Sequence, residues 1–261
     1  MIGEGAGISG EAYNKHIDLY VDYGDGIGAV DYVAHMGSDL TFVNAARVSF
    51  GKHKEVMDAS DEKLIRYMIK HGHTSPFEHA SVTFRFMVPL FVRGQHHRHR
   101  TWSYNEISRR YTEFNLEFYN PIVFRTQHDS NRQASNADEL IDPDVVFERW
   151  VDSETGQFFP LTEKASVLLR QHVDRSVNLY NSFLDAGICR EQARMVLPQN
   201  MYVMYYGTVN LSNLLKFIAL RDHEGAQEEI RRPARACLEI ATDLFPVAVK
   251  AYREIKNEAH S

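Results

Sequence analysis

The stretch from Arg98 to Arg110, RHRTWSYNEISRR, constrains the fold more than any other part of this chain. Within it lie four arginines, a histidine, a glutamate and several hydroxyl and amide groups. A hydrophobic core cannot hold that set unpaired, because each buried charge without a partner is strongly unfavourable. Guanidiniums this close together also repel one another, and Glu106 alone cannot neutralise four. The segment is therefore expected at the wall of a pocket that receives an anion, rather than in a core or on a plain solvated face.

Arginine usage sharpens that expectation. No lysine occurs between Lys70 and Lys164, whereas arginine recurs at 85, 93, 98, 100, 109, 110, 125, 132 and 149. Arginine's planar fork grips phosphate or carboxylate through paired hydrogen bonds and stacks on flat rings, while lysine offers a mobile point charge. The net charge of −6 argues against a protein that coats a polyanion, so no nucleic-acid partner is expected. A small anion is the better candidate.

The rest of the chain reads as one α+β domain spanning 1–261, with strands early and helices later. Residues 17–22 and 27–34, joined around Gly24-Asp25-Gly26, read as a hairpin or a pair of short strands. Ser60-Asp61-Glu62 opens a helix with Leu64, Ile65, Met68 and Ile69 at core spacing, stopped at Gly72. Ser75-Pro76-Phe77-Glu78 has the form of a capping box at a helix start. Val82, Phe84, Phe86 and Val88 alternate as in a half-buried strand that ends at Pro89. A helix carrying Gln95 to His99 then leads into the arginine-rich loop.

Residues 126–160 read as a polar, irregular surface excursion. Beyond them, helices are expected over 162–186, from Cys189 to an interruption at Pro198, over 209–222, and from 225 towards Pro246. Arg190 and Arg194 fall on one helix face. Asn210 and Arg221, eleven apart, share a face about 16 Å apart at a rise of about 1.5 Å per residue. Arg231-Arg232-Pro233-Ala234-Arg235 reads as a solvated face or subunit contact.

Other chemistries fit less well. His96, His97 and His99, with His71, His73 and His79 upstream, lack the spacing of a known metal helix, and the flanking arginines oppose a bound dication. The two cysteines, Cys189 and Cys237, adjoin no histidine and sit in no nucleophile turn, so sulfur catalysis is not expected. MIGEGAGISG lacks the features of a signal peptide, and no apolar run approaches the ~20 residues of a membrane span. A cytoplasmic location and no membrane partner are expected. The residues alone leave open a non-catalytic phosphate- or nucleotide-binding protein, or a histidine-metal hydrolase.

Arg98-His99-Arg100, seven residues, then Ser108 resembles the signature of flavin-dependent thymidylate synthases. Ala45-Ala46-Arg47-Val48-Ser49-Phe50, HGHTSPFEH, Arg190-Glu191-Gln192-Ala193-Arg194-Met195-Val196-Leu197-Pro198, Thr208-Val209-Asn210 and Leu220-Arg221 are similar to that family in the same order. The resemblance implies an FAD enzyme that converts dUMP to dTMP. Methylenetetrahydrofolate would supply the methylene and a reduced nicotinamide, usually NADPH, the reducing equivalents, in a homotetramer and without an enzyme cysteine.

By position it implies flavin contacts at Ser49, His73, Ser75, Arg98, His99, Arg100, Glu106 and Asn210, with Ser212 and Lys216 also on the cofactor side. It implies a dUMP cradle of Gln95, Arg98, Glu106, Ser108, Arg109 (through its backbone), Arg110 and Arg194. Arg221 would grip the uracil edge and stabilise negative charge developing there. Four positions depart from the common pattern: Ser75 replaces threonine, Ser212 a larger residue, Lys216 asparagine, and Gly225 a histidine, with His223 two residues earlier.

Overall fold

The computed structural model describes residues 20–22, 25–108, 116–152 and 154–258. Its framework is an antiparallel five-stranded sheet built from β1 (Tyr20–Asp22), β2 (Ala29–Met36), β3 (Ser81–Pro89), β4 (Ser103–Glu106) and, much later in the chain, β9 (Tyr202–Asn210). The spatial order is β1-β2-β3-β9-β4. Between them the chain forms α1 (Asp39–Arg47), α2 (Ala59–Lys70) and α3 (Leu90–His96). Two separate hairpins follow, β5 (Phe124–Gln127) with β6 (Ser135–Ile141) and β7 (Asp144–Val151) with β8 (Phe158–Lys164). The remaining helices are α4 (Ala165–Asp185), α5 (Arg190–Ala193), α6 (Leu211–Arg221), α7 (Glu228–Leu244) and α8 (Pro246–Glu258).

The core is where the sequence alternation places it. Val82, Phe84, Phe86 and Val88 of β3 are all buried. They meet Val203, Tyr205 and Val209 of β9 and the Leu211, Leu214 and Ile218 stripe of α6. Each fully buried side chain of this size stabilises by roughly 1.5–3 kcal/mol through area removed from water. Gly207 in β9 lets Trp102 lie against the sheet: a Cβ there would meet Phe86 at 2.9 Å and Trp102 at 3.1 Å.

Polar anchors set the helices. Asp58 caps α2 by accepting from Ser60 N at 2.8 Å, so the helix begins at Ala59, one residue before the expected start. Fully buried Asp61 binds Arg47 at 2.5 Å and Lys54 at 2.6 Å, so the arginine of the Ala45–Phe50 motif is committed to structure. Asp39 accepts from Val247 N and Ala248 N, fixing the start of α8 against α1. Asn210 caps α6 by accepting from Asn213 N at 2.9 Å.

Several expectations are corrected. Residues 75–78 form a single 3-10 turn without a side-chain cap, because the chain must reverse at once into β3. The region 126–160 is on the surface but regular: β5 pairs with β6 and β7 with β8, and the second hairpin (DVVFERWV, FFPLTEK) is rich in branched and aromatic residues that favour strands. β8 takes residues up to Lys164, so α4 starts at Ala165; Gly187, with φ +81, follows its end as expected. The helix expected from Cys189 is one α turn followed by a 3-10 turn over Arg194–Val196. β9 is absent from the sequence reading, although YVMYYGTVN is rich in β-branched and aromatic residues. Of residues 231–235, Pro233 and Ala234 are buried, while Arg231 and Arg235 pair with Glu228, and exposed Arg235 also with Asp222 at 2.9 Å.

Candidate functional site

The site is built where α3, β4 and α6 converge on the β3–β9 pair. His96, the last residue of α3, is only 1% exposed and its Nδ1 lies 2.7 Å from Tyr205 Oη. Phe86, Trp102, Tyr104 and Phe217 surround its ring at centroid distances of 4.4–5.3 Å. Burial, reinforced by His99, His97 and Arg221, holds its pKa well below the ordinary value, so this imidazole is neutral. It is a packing residue.

The turn after His96 is stapled by Tyr104, whose hydroxyl donates to the backbone oxygens of His96 at 2.9 Å and His99 at 3.1 Å. The second half of the expected loop is thus an edge strand, β4, paired with β9 through Glu106↔Tyr205. Among the described residues Glu106 makes no ion pair with Arg98 or Arg100 of its own segment. It pairs with Arg93, one turn earlier on α3, at 2.9 Å.

Arg221, at the end of α6, completes the cluster. Its Nε donates to His99 Nε2 at 3.1 Å and its Nη2 to the Gln95 backbone oxygen at 3.4 Å. The first contact requires an unprotonated Nε2. Burial and the Arg221 charge lower the His99 pKa to about 4, which keeps that nitrogen an acceptor at neutral pH. Burial, with Arg93, also brings His97 to about 4. The guanidinium is therefore held from one edge, and its other N–H groups remain available to a ligand.

Arg98 and Arg100, on the same turn, are exposed and pair with no carboxylate among the described residues. Ser108, just past β4, is half-buried. Arg109 and Arg110 lie outside the described residues.

A second locus lies at the other end of α6. His73, Ser212 and Lys216 line one cavity of about 220 Å³ with Met68, Phe77 and Tyr252. Its mixed lining of apolar groups, one ammonium, the His73 imidazole and the buried Ser212 and Tyr252 hydroxyls suits part of a ring-bearing ligand. The volume is below the roughly 300–1,000 Å³ of a complete small-molecule site. Uncommitted Arg98 and Arg100 could take the anionic remainder of such a ligand. These residues fit an FAD, with the pocket for an apolar portion and the arginines for its phosphates.

Other expected residues stand apart within one chain. Ser49 is exposed and donates to Ala46 O at 3.1 Å, and Ser75 and Arg194 are exposed. No hydrogen bond or ion pair among the described residues joins them to Arg221. Where a histidine is frequent, Gly225 donates to His223 Nδ1 at 3.0 Å, so the earlier histidine folds back beside it. Among the described residues no three His, Cys, Asp or Glu side chains come together as a metal site, and no helix is long and apolar enough to cross a membrane. Cys237 is buried, with its thiol pKa pushed well up by burial, while Cys189 is exposed.

The comparisons with known proteins bear on this arrangement. Residues 31–247 match the family described as thymidylate synthase complementing protein. A flavin-dependent thymidylate synthase of Thermus thermophilus is 40% identical over 227 residues, 87% of this chain and 76% of the relative. The chain belongs to the flavin-dependent thymidylate synthase family.

A second member of this enzyme family, from Kosmotoga olearia, is 38% identical over 86% of this chain and 90% of its own. Among solved structures, a UMP/dUMP methylase, PolB of Streptomyces cacaoi bound with 5-Br UMP, superposes with a TM-score of 0.69 at 31% identity. That match covers 87% of this chain and 93% of the methylase. The α+β fold is thus that of a nucleotide methylase.

Sequence reasoning passed over the residues that hold the site in place. Tyr205 and Gln227 carry no motif, Arg93 is only one of the recurring arginines, and Tyr104 lies within the arginine-rich segment without a role of its own. Their signal is spatial: Tyr205 meets a partner 109 residues away and Gln227 one 132 residues away, while Tyr104 and Arg93 act across the turn that joins α3 to β4.

Proposed function

We propose that this chain converts dUMP to dTMP by reductive methylation, with methylenetetrahydrofolate as one-carbon donor. FAD, reduced by NADPH, supplies the hydride when bound. The observation that carries the reading is Arg221, fixed by His99 and Gln95 with N–H groups to spare, beside the uncommitted Arg98 and Arg100. A permanent cation pre-oriented in this way can bind the uracil edge and stabilise charge that develops there, with no reorganisation at the moment of reaction. The names of the relatives and of the structural neighbour support a uridylate as substrate.

Gln95, Arg98, Glu106, Ser108, Arg109, Arg110 and Arg194 form the nucleotide cradle in this reading. Ser49, His73, Ser75, Arg98, His99, Arg100, Glu106, Asn210, Ser212 and Lys216 serve the flavin. Ser49, Ser75 and Arg194 are exposed, and among the described residues no hydrogen bond or ion pair joins them to Arg221, which suits a homotetramer whose subunits share sites. Cys237 is buried with its thiol held protonated by burial, and this reading gives no cysteine the role of nucleophile. Unpaired cysteines also suit a reducing cytoplasm.

The test is dTMP formation by FAD-loaded protein given dUMP, methylenetetrahydrofolate and NADPH. Protein with stoichiometric FAD that forms no dTMP overturns the reading. Because the structural neighbour is a UMP/dUMP methylase, a parallel reaction with UMP measures selection at the 2′-position. Arg221→Ala is expected to lower dTMP turnover about 10²- to 10³-fold, with FAD retained by absorbance. Near-normal turnover would remove the electrostatic role.

A further inference from the structure

A polar relay runs from β5 into the arginine cluster. Glu229, 7% exposed on the first turn of α7, accepts from Arg125 Nη2 at 2.7 and 2.8 Å and from Tyr119 Oη at 3.2 Å. Gln227 Nε2 donates to the same carboxylate at 2.9 Å, while Gln227 Oε1 accepts from Gln95 Nε2 at 2.5 Å. Burial raises the Glu229 pKa, but Arg125 and Gln227 outweigh it and leave the group below its ordinary value, hence ionised.

The charge at one end dictates the orientation of every amide after it. An ionised carboxylate can only accept, so the end of the Gln227 amide facing Glu229 is its NH₂. Its carbonyl is thereby turned to Gln95, which must answer with its own NH₂. Gln95 Oε1 is left over, without a partner among the described residues. Either amide reversed on its own would set two acceptors or two donors face to face.

We propose that Gln227 and Glu229 are positioning residues that lock the polarity of the Gln95 amide, so that Gln95 offers an acceptor to a hydrogen-bond donor of the nucleotide. This rests on the reading of the site as a dUMP site. A uridylate carries such donors only at its sugar hydroxyl and at N3–H of the base; its ionised phosphate carries acceptors. Gln95 therefore recognises the nucleoside portion, while arginines hold the phosphate.

The experiment is calorimetric titration of FAD-loaded enzyme with dUMP, its analogue lacking the 3′-hydroxyl, and its analogue methylated at N3. Wild type is expected to bind the analogue that lacks the recognised donor about tenfold more weakly, the value of one good hydrogen bond. Which analogue suffers identifies sugar or base. In Gln227→Met the Gln95 amide is free to turn, and that ratio is expected to narrow to within about twofold. The KM for dUMP should rise more than kcat falls.

The swapped pair, Gln227→Glu with Glu229→Gln, keeps an acceptor facing Gln95 and is expected to restore the ratio. If Gln227→Met does not fold, Gln227→Asn, which withdraws the amide by one methylene, reads the same quantity. Unchanged ratios in the folded variant, or a folded swapped pair that fails to restore them, overturn the proposal. Wild type that binds no dUMP at all overturns the substrate reading instead.

Discussion

The central sheet and the two hairpins are both antiparallel β-structure, yet they are held by different forces. Along β3 and β9 every second side chain is buried, and the register is fixed because a slip by one residue would turn the core face to water. The hairpins of 124–164 leave Leu140, Val146, Phe147, Phe159 and Leu161 exposed, with Val146 at 51%. A two-stranded ribbon without a buried face is marginal in water. What ties the first hairpin to the body is mainly Arg125, through its ion pair with Glu229. The sheet thus creates positions for chemistry through packing, whereas the hairpin segment contributes to the site through one charge.

The sharpest way to break that contrast is to remove the charge. Arg125→Met leaves Glu229 buried without its cation, and a loss of about 3 kcal/mol in urea unfolding is expected, the lower end for a broken buried pair because Arg125 is partly exposed. Arg66, which pairs with Glu254 at 2.6 Å and with Glu258 on the surface, is the control. Arg66→Met should cost about 1 kcal/mol or less. Equal losses in the two variants would show that the β5 ion pair is no different from a surface one.

Next in size is Gly207→Ala, which probes the sheet. The added methyl would press on Phe86 and Trp102, rings that also wall His96. A loss of about 1–3 kcal/mol is expected, typical of overpacking, together with altered tryptophan emission. An unchanged midpoint and spectrum would mean that the layer beneath the site is loosely packed.

The contrast also explains what could be read from the sequence. β3, α2 and α6 were legible because their apolar period is clean and a buried face enforces it. Arg98, His99 and Arg100 stood out as candidates because so much charge in so few residues has few uses, whereas Arg221 took its role from the family resemblance. β9 escaped because Pro198 and Gly207 interrupt a run that also suits a helix boundary, and only its partners β3 and β4 decide the matter. The pairing of Glu106 with Arg93 rather than with Arg98 or Arg100 was equally hidden. So was the Gln95–Gln227–Glu229 relay, since nothing local announces which distant amide a glutamine will meet.

Acid should affect the site before the hairpins. His97 and His99 have pKa values lowered to about 4 from an ordinary 6.5, chiefly by burial. Because the folded value lies below the unfolded one, their contribution to stability is complete above 6.5 and is lost as pH falls towards 4. The urea midpoint of wild type should decline across that window, and His99→Asn should flatten part of the decline. A variant with an unaltered slope would show that His99 is not held neutral by the fold.

The smallest effect is expected on the hairpin surface and tests the comparison at its weakest point. Val146→Thr keeps the branched shape that favours a strand and replaces one exposed methyl by a hydroxyl, so its cost should stay within about 0.5 kcal/mol. The same change at Val209 of β9, which is 2% exposed, buries a hydroxyl among apolar neighbours and should cost about 1–3 kcal/mol. If Val146→Thr instead costs as much as Val209→Thr, the hairpin face is covered in solution. Repeating the melt at several protein concentrations then identifies the cover: a loss that grows on dilution puts a second copy of the chain there, because only an intermolecular contact responds to mass action.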